Sequence, residues 1–128
     1  MKVRLMLLSG IVFLISCSEN EVPTNENLLV EKNVSTEKFQ LIELNNSDTL
    51  KVNLGYFGDE EGAWIFENPA HASYDTIYRA FDFATIYYEY SSDENFSGRD
   101  TVGLILNRGS DGASVGVNDS IRICLVIN

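Results

Sequence analysis

A two-residue alternation of apolar and polar positions recurs along the C-terminal two thirds of this chain and restricts it to a narrow set of folds. Ile121, Ile123, Leu125 and Ile127 occupy every second position of the last segment. Val102, Leu104 and Leu106 repeat the pattern, as do Leu50, Val52 and Leu54, which alternate with Lys51 and Asn53. Ile86, Tyr88 and Tyr90 share one face of a further segment. Successive side chains of a strand point to opposite faces, so this period marks strands with one buried and one wet face. Phe39–Leu44, Ala63–Phe66 and Thr76–Phe81 complete a set of seven strands. Asn45-Asn46-Ser47-Asp48, Gly55–Gly62, Asn68-Pro69 and Gly109–Asn118 supply the turn residues between them. No window of a dozen residues after Cys17 holds a helical stripe. The fold class is all-β. Residues 37–128 are expected to form one antiparallel sandwich of about seven strands, with a small β-barrel as the alternative.

The N-terminus reads differently. Lys2 and Arg4 precede an apolar run from Leu5 to Ile15 that only Ser9 and Gly10 interrupt. A bilayer-spanning helix needs about 20 apolar residues. This run is shorter and suits the h-region of an export signal. It ends in Leu14-Ile15-Ser16-Cys17, which resembles the lipobox of bacterial lipoproteins. The resemblance implies that residues 1–16 are a lipoprotein signal peptide. It also implies that the Cys17 thiol takes diacylglycerol, that cleavage precedes Cys17, and that the new amine is acylated. Two or more acyl chains anchor a protein stably where one does not. Ser18 takes the place of the Asp that favours inner-membrane retention in that family, which implies outer-membrane sorting. Glu19 and Glu21 resemble the acidic tags that direct some such proteins to the cell surface. Residues 17–36 are then the lipidated cysteine and a flexible acidic tether, in which Leu28-Leu29-Val30 offers a start for the first strand. Between Ser18 and Asn27 only Val22 is apolar, too little to offset the entropy of ordering.

The net charge of −10 becomes −12 when Lys2 and Arg4 leave with the signal peptide. Such a chain lacks the cationic surface that phosphate backbones require, which excludes nucleic acid as a partner. It also excludes electrostatic attachment to an anionic bilayer. With Cys17 lipidated, Cys124 is left without an internal disulfide partner. Its place between Ile123 and Leu125 reads as a buried small residue in a strand. The domain is therefore expected to hold together by packing alone.

Phe96-x-Gly98-x-Asp100-Thr101-Val102 follows Tyr88-x-Tyr90 and precedes a Gly-rich loop and the closing strand. This stretch resembles the C-terminal half of bacterial Ig-like and cadherin-like repeats. The resemblance implies an Ig-like β-sandwich used for spacing, adhesion or display, and no catalytic role.

Four groups of residues are candidate sites. Asp93-x-Asn95-x-Ser97-Gly98 matches the start of an EF-hand-type calcium loop, with Asp100 a nearby third ligand. The bidentate Glu expected at the twelfth position is Leu104, so the segment also reads as a plain turn with Phe96 plugging the core. Asp48-Thr49-Leu50, Asp75-Thr76-Ile77, Asp100-Thr101-Val102 and Asp119-Ser120-Ile121 share the order Asp, hydroxyl residue, aliphatic. They read as turn-closing aspartates at strand starts. They also resemble an O-glycosylation sequon of exported Gram-negative proteins, which would modify Thr49, Thr76, Thr101 and Ser120. Trp64, Tyr74 and Tyr78, with Tyr87, Tyr88 and Tyr90 nearby, are candidates for a sugar-stacking platform. Tyr87 and Tyr88 must point to opposite faces. His71 is the only histidine, and no motif sets a nucleophile beside it, so a hydrolase is the weakest reading.

The sequence thus describes a non-enzymatic, outer-membrane-anchored, Ig-like lipoprotein. It would present a structural or adhesive surface to an envelope protein or a glycan. A carbohydrate-binding accessory lipoprotein is the alternative. The membrane is reached through covalent lipid, and no cofactor is required.

Overall fold

A computed structural model describes residues 27–34, 38–109 and 116–128. Cys17 and the signal peptide lie outside the described residues. Eight strands follow in chain order. They are β1 (Leu29–Asn33), β2 (Phe39–Leu44), β3 (Thr49–Tyr56), β4 (Gly62–Glu67), β5 (Ala72–Arg79), β6 (Thr85–Ser92), β7 (Gly98–Asn107) and β8 (Asn118–Ile127). They form two four-stranded sheets, ordered β1-β3-β6-β5 and β2-β8-β7-β4. The architecture is an all-β sandwich of two open sheets, not a closed barrel.

Three expectations are corrected. The sheets are mixed rather than antiparallel, because β1 pairs with β3 and β2 with β8 in parallel. The described residues form eight strands rather than seven, and β1 falls where Leu28-Leu29-Val30 offers a first strand, inside the segment 17–36 that otherwise reads as tether. Its five residues carry no alternation, and ladder bonds to the distant β3 define it as a strand. Cys124 is half-buried on the outer face of the second sheet, with Leu41 and Thr101 as its cross-strand neighbours. The same period that buries Ile123 and Leu125 turns Cys124 outward.

The core lies between the sheets and comes mainly from the central strands. Leu50, Val52 and Leu54 of β3 meet Val102 and Leu104 of β7 and Ile123 and Leu125 of β8, all fully buried. Each such side chain contributes about 1.5–3 kcal/mol by leaving water. A bulge at Asn53 and Gly55 twists the end of β3, and Gly55 takes a φ of +103° that favours glycine. On the outer face of the second sheet Phe66 lies across Gly103. A Cβ built there would stand 2.5 Å from the ring, so only glycine fits.

Tyr88 and Tyr90 point inward from β6 and are fully buried, as their shared face predicts. Their hydroxyls differ. Tyr90 donates to Asp100 Oδ2 at 3.2 Å, whereas Tyr88 Oη has no hydrogen-bond partner among the described residues. Burial pushes both phenols above their usual range, and Asp100 adds to the effect at Tyr90. An unpaired buried hydroxyl is a liability of about 1 kcal/mol or more. Tyr88→Phe is therefore expected to stabilise the domain by about 1 kcal/mol, measured by urea denaturation. A loss of stability would reveal a partner for that hydroxyl.

The strands run between two poles. At one, residue 27 leads into β1, and Asn128 N donates to Leu44 O beside the 45–48 turn. The other pole gathers the connections β3–β4, β5–β6 and the described ends of β7–β8. With β3 spanning eight residues, the poles are about 25 Å apart.

Candidate functional site

The pole far from residue 27 is built around two arginines. Arg79, the last residue of β5, reaches under two connections. Its Nη1 donates to Phe83 O at 2.8 Å and more weakly to Phe57 O at 3.4 Å. Its Nη2 donates to Gly58 O at 3.0 Å and to Glu61 O. One guanidinium thus satisfies four carbonyls that no strand ladder reaches. Arg108, just after β7, does the same from the other side. It donates to Tyr56 O at 2.6 Å and Leu54 O at 3.2 Å, and its guanidinium stacks on the buried Phe57 ring at 4.0 Å. Glu61 Oε2 accepts from Gly58 N at 2.7 Å and closes the β3–β4 turn.

Large apolar side chains stand outward from this braced backbone. Phe81 is 101% exposed, and Tyr56 and Phe83 are each 76% exposed. Val117 is exposed on the neighbouring connection. Exposed Asp59, Glu60 and Asp82 lie among them. The sequence pattern does not mark this pole. A strand over Thr76–Phe81 is expected from it, whereas β5 ends at Arg79 and Phe81 sits in the turn that follows. One local signal was present: Asp82 lies three residues before Thr85, the spacing of an aspartate that caps a turn.

The expected site residues are placed as follows. Asp93 and Asn95 lie in the β6–β7 turn, with Asn95 at a φ of 61°. That turn is held by Asn46, whose amide donates to Asp93 O at 2.9 Å and Phe96 O at 2.7 Å. Phe96 packs against the core and stacks on His71, with ring centroids 4.0 Å apart. Asp100 is buried. Its Oδ1 accepts from Ala70 N at 2.8 Å and Thr101 N at 2.9 Å, and its Oδ2 from His71 N at 2.8 Å and the Tyr90 hydroxyl. Its oxygens are thus committed to the protein. No cluster of three or more His, Cys, Asp or Glu side chains among the described residues is placed to hold a metal ion.

Trp64 and the tyrosines do not share one surface. Trp64 faces outward from the second sheet, opposite Ile105. Tyr74 and Tyr78 face outward from the first, where Tyr78 stacks on Tyr87 at 5.7 Å and donates to Glu89 Oε2 at 3.1 Å. Desolvation and then the bond to Glu89 push the Tyr78 phenol up to about 12. The three proposed platform residues are therefore divided between opposite faces. Of the four hydroxyl residues in the repeated triplets, Thr49 and Thr76 stand on the outer face of the first sheet. Thr101 and Ser120 stand on that of the second. Thr49 Oγ1 lies 3.0 Å from Ser91 Oγ. Two of the preceding aspartates are buried, Asp48 bonding Asn45 and Asp100 bonding the 70–71 backbone.

No protein-family model matches this sequence. No curated protein matches it either. Solved structures do. The chain is similar to the cysteine protease inhibitor EhICP2 from Entamoeba histolytica at 15% identity and a TM-score of 0.55. The match covers 80% of this chain and 98% of that one. It is also similar to Amebosin at 8% identity and a TM-score of 0.56, covering 77% of this chain and 98% of that one. At such identities the likeness is one of fold, and function must be argued from the site.

Proposed function

We propose that this chain is a non-enzymatic, lipid-anchored domain of a bacterial cell envelope that binds a partner protein through the aromatic pole. The partner in this reading is a cysteine protease. The observation that carries it is the pole itself, where two arginines hold the backbone of separate connections and Tyr56, Phe81 and Phe83 stand in solvent. Exposed large apolar side chains gathered on one surface mark protein interaction sites. Aromatic side chains dominate binding energy at such sites. Loops already fixed by hydrogen bonds lose little entropy on docking. The choice of a cysteine protease draws on the fold shared with an inhibitor of such enzymes. The anchor draws on Leu14-Ile15-Ser16-Cys17, and outer-membrane sorting on Ser18. A tether joined at residue 27 leaves the aromatic pole facing away from the membrane.

Two measurements on one preparation test this reading. The mature chain is titrated into papain with a fluorogenic peptide substrate, and reversible, stoichiometric inhibition is expected. Unchanged turnover at large molar excess removes the protease from the proposal. In the native host the Cys17→Ser precursor is expected to take up no labelled lipid and to retain residues 1–16. Normal labelling of that variant ends the anchor.

A further inference from the structure

We infer that the tip of the β5–β6 turn, Phe81-Asp82-Phe83, is the anchoring element of the aromatic pole. Its two phenyl rings would seat in apolar pockets of the partner's cleft. This rests on the proposed function and names the residues that carry it.

The turn is fixed more tightly than a short connection requires. Phe83 N donates to Ala80 O at 2.9 Å, and Ala80 N donates to Thr85 O at 2.8 Å. Asp82 Oδ1 accepts from Ala84 N at 2.9 Å and Thr85 N at 2.8 Å, while Oδ2 accepts the Thr85 hydroxyl at 2.6 Å. These bonds hold the Asp82 carboxyl below its usual range, the Thr85 hydroxyl contributing most. Arg79 secures the Phe83 carbonyl from below, and Phe57 N bonds Ala84 O at 2.8 Å, joining the turn to its neighbour.

Within this frame Phe83 has a φ of 58°. Hairpin turns that need a left-handed residue default to glycine or asparagine, and a bulky side chain there is strained. Phe83 therefore carries two costs to the isolated domain, a strained backbone and a ring left in water. Phe81 carries the second cost in full. Neither ring packs in the core cluster. Folding of the domain gives no reason for a phenylalanine at either position. A contact outside the domain does, and strain held in place by surrounding bonds is a property of binding sites. Asp59, Glu60 and Asp82 are exposed on the same pole, so a cleft that takes the rings is neutral or basic at its rim.

The test separates binding from folding because the two are expected to move differently. Phe83→Gly gives the turn the residue its backbone prefers, so its thermal midpoint should equal or exceed that of the parent. Its inhibition constant against papain should rise about 30-fold or more, the loss expected of a central aromatic anchor. Phe81→Ser should weaken inhibition similarly at unchanged stability. Leu41→Ser, on the exposed outer face of the second sheet, should leave inhibition unaltered. If the parent inhibits and both Phe variants inhibit equally well, the anchor is refuted while the proposed function stands. If inhibition and thermal midpoint fall together, the rings serve the fold and the anchor is refuted. If the parent does not inhibit, the protease is removed from the proposed function and the role of Phe81 and Phe83 in its cleft falls with it.

Discussion

Asp100→Ala is expected to destabilise the domain by about 3–5 kcal/mol, a large share of the stability of a domain this size. The reason is the number of donors that a single buried carboxylate satisfies. Ala70 N, His71 N, Thr101 N and the Tyr90 hydroxyl all end on it. A buried donor left without a partner costs about 1–3 kcal/mol. Water can reach part of the exposed 70–71 backbone, so the sum falls below four full penalties. Asp100→Asn keeps the shape but replaces one acceptor with an amine that meets donors. Its expected loss is about 2 kcal/mol. Tyr90→Phe should cost about 1 kcal/mol by itself, and less in the Asp100→Ala background, where Asp100 is gone and only the longer contact to His71 O at 3.3 Å remains. Urea denaturation of the four variants closes the cycle. A loss under about 1 kcal/mol for Asp100→Ala would contradict this account of how the 68–71 connection is tied to the sandwich.

Arg79→Met should have a modest effect on global stability and a large one on the aromatic pole. Methionine retains much of the apolar stem and loses the donors. The carbonyls of Phe57, Glu61 and Phe83 then lose this donor, and Gly58 O keeps only the bond from Glu61 N at 3.2 Å. Two of the four bonds are solvent-exposed, so water replaces them and the expected stability loss is about 1–2 kcal/mol. The connections they joined lose their common support. Limited proteolysis should open new cleavage sites within residues 57–62 and 80–84. Inhibition of papain should weaken about 10–100-fold, because ordering the loops is then charged against binding. Arg79→Lys should recover only part of this, since an ammonium cannot span two connections with the fork of a guanidinium. Unaltered loop protection and affinity in Arg79→Met would show that the pole does not depend on this brace.

The sequence made the core legible because alternation reports burial directly. Leu50, Val52, Leu54, Tyr88, Tyr90, Val102, Leu104 and the isoleucines of β8 all lie where their period places them. Strand direction was not legible. A strand with one buried face shows the same alternation whether its neighbour runs parallel or antiparallel. The extent of β1 was hidden for a related reason: Leu28-Leu29-Val30 suggests a strand start, but in this edge strand only Val30 of five residues is half-buried, so Glu31–Asn33 read as tether. The repeated Asp-hydroxyl-aliphatic triplets marked strand starts correctly at Thr49 and near Asp100 and Asp119. They did not reveal that Asp100 reaches across to the 68–71 connection. The aromatic pole stayed out of view because it is assembled from connections distant in sequence, and because Arg79 looks like any polar residue at a strand end.

The parallel pairing of β1 with β3 has a mechanical consequence. In the proposed function the domain is held from before residue 27 and grasped at its far pole, and it would be pulled along the strand axis. β1 starts at the tethered pole and its five residues are in register with Thr49–Asn53. Tension therefore loads all the cross-strand bonds of that ladder at once, in shear, instead of opening them one after another. The same β3 runs on to Tyr56, whose carbonyl Arg108 holds. Force entering at β1 would thus cross that ladder into β3 and run along β3 to the far pole. On that reading the arrangement would resist unravelling under load.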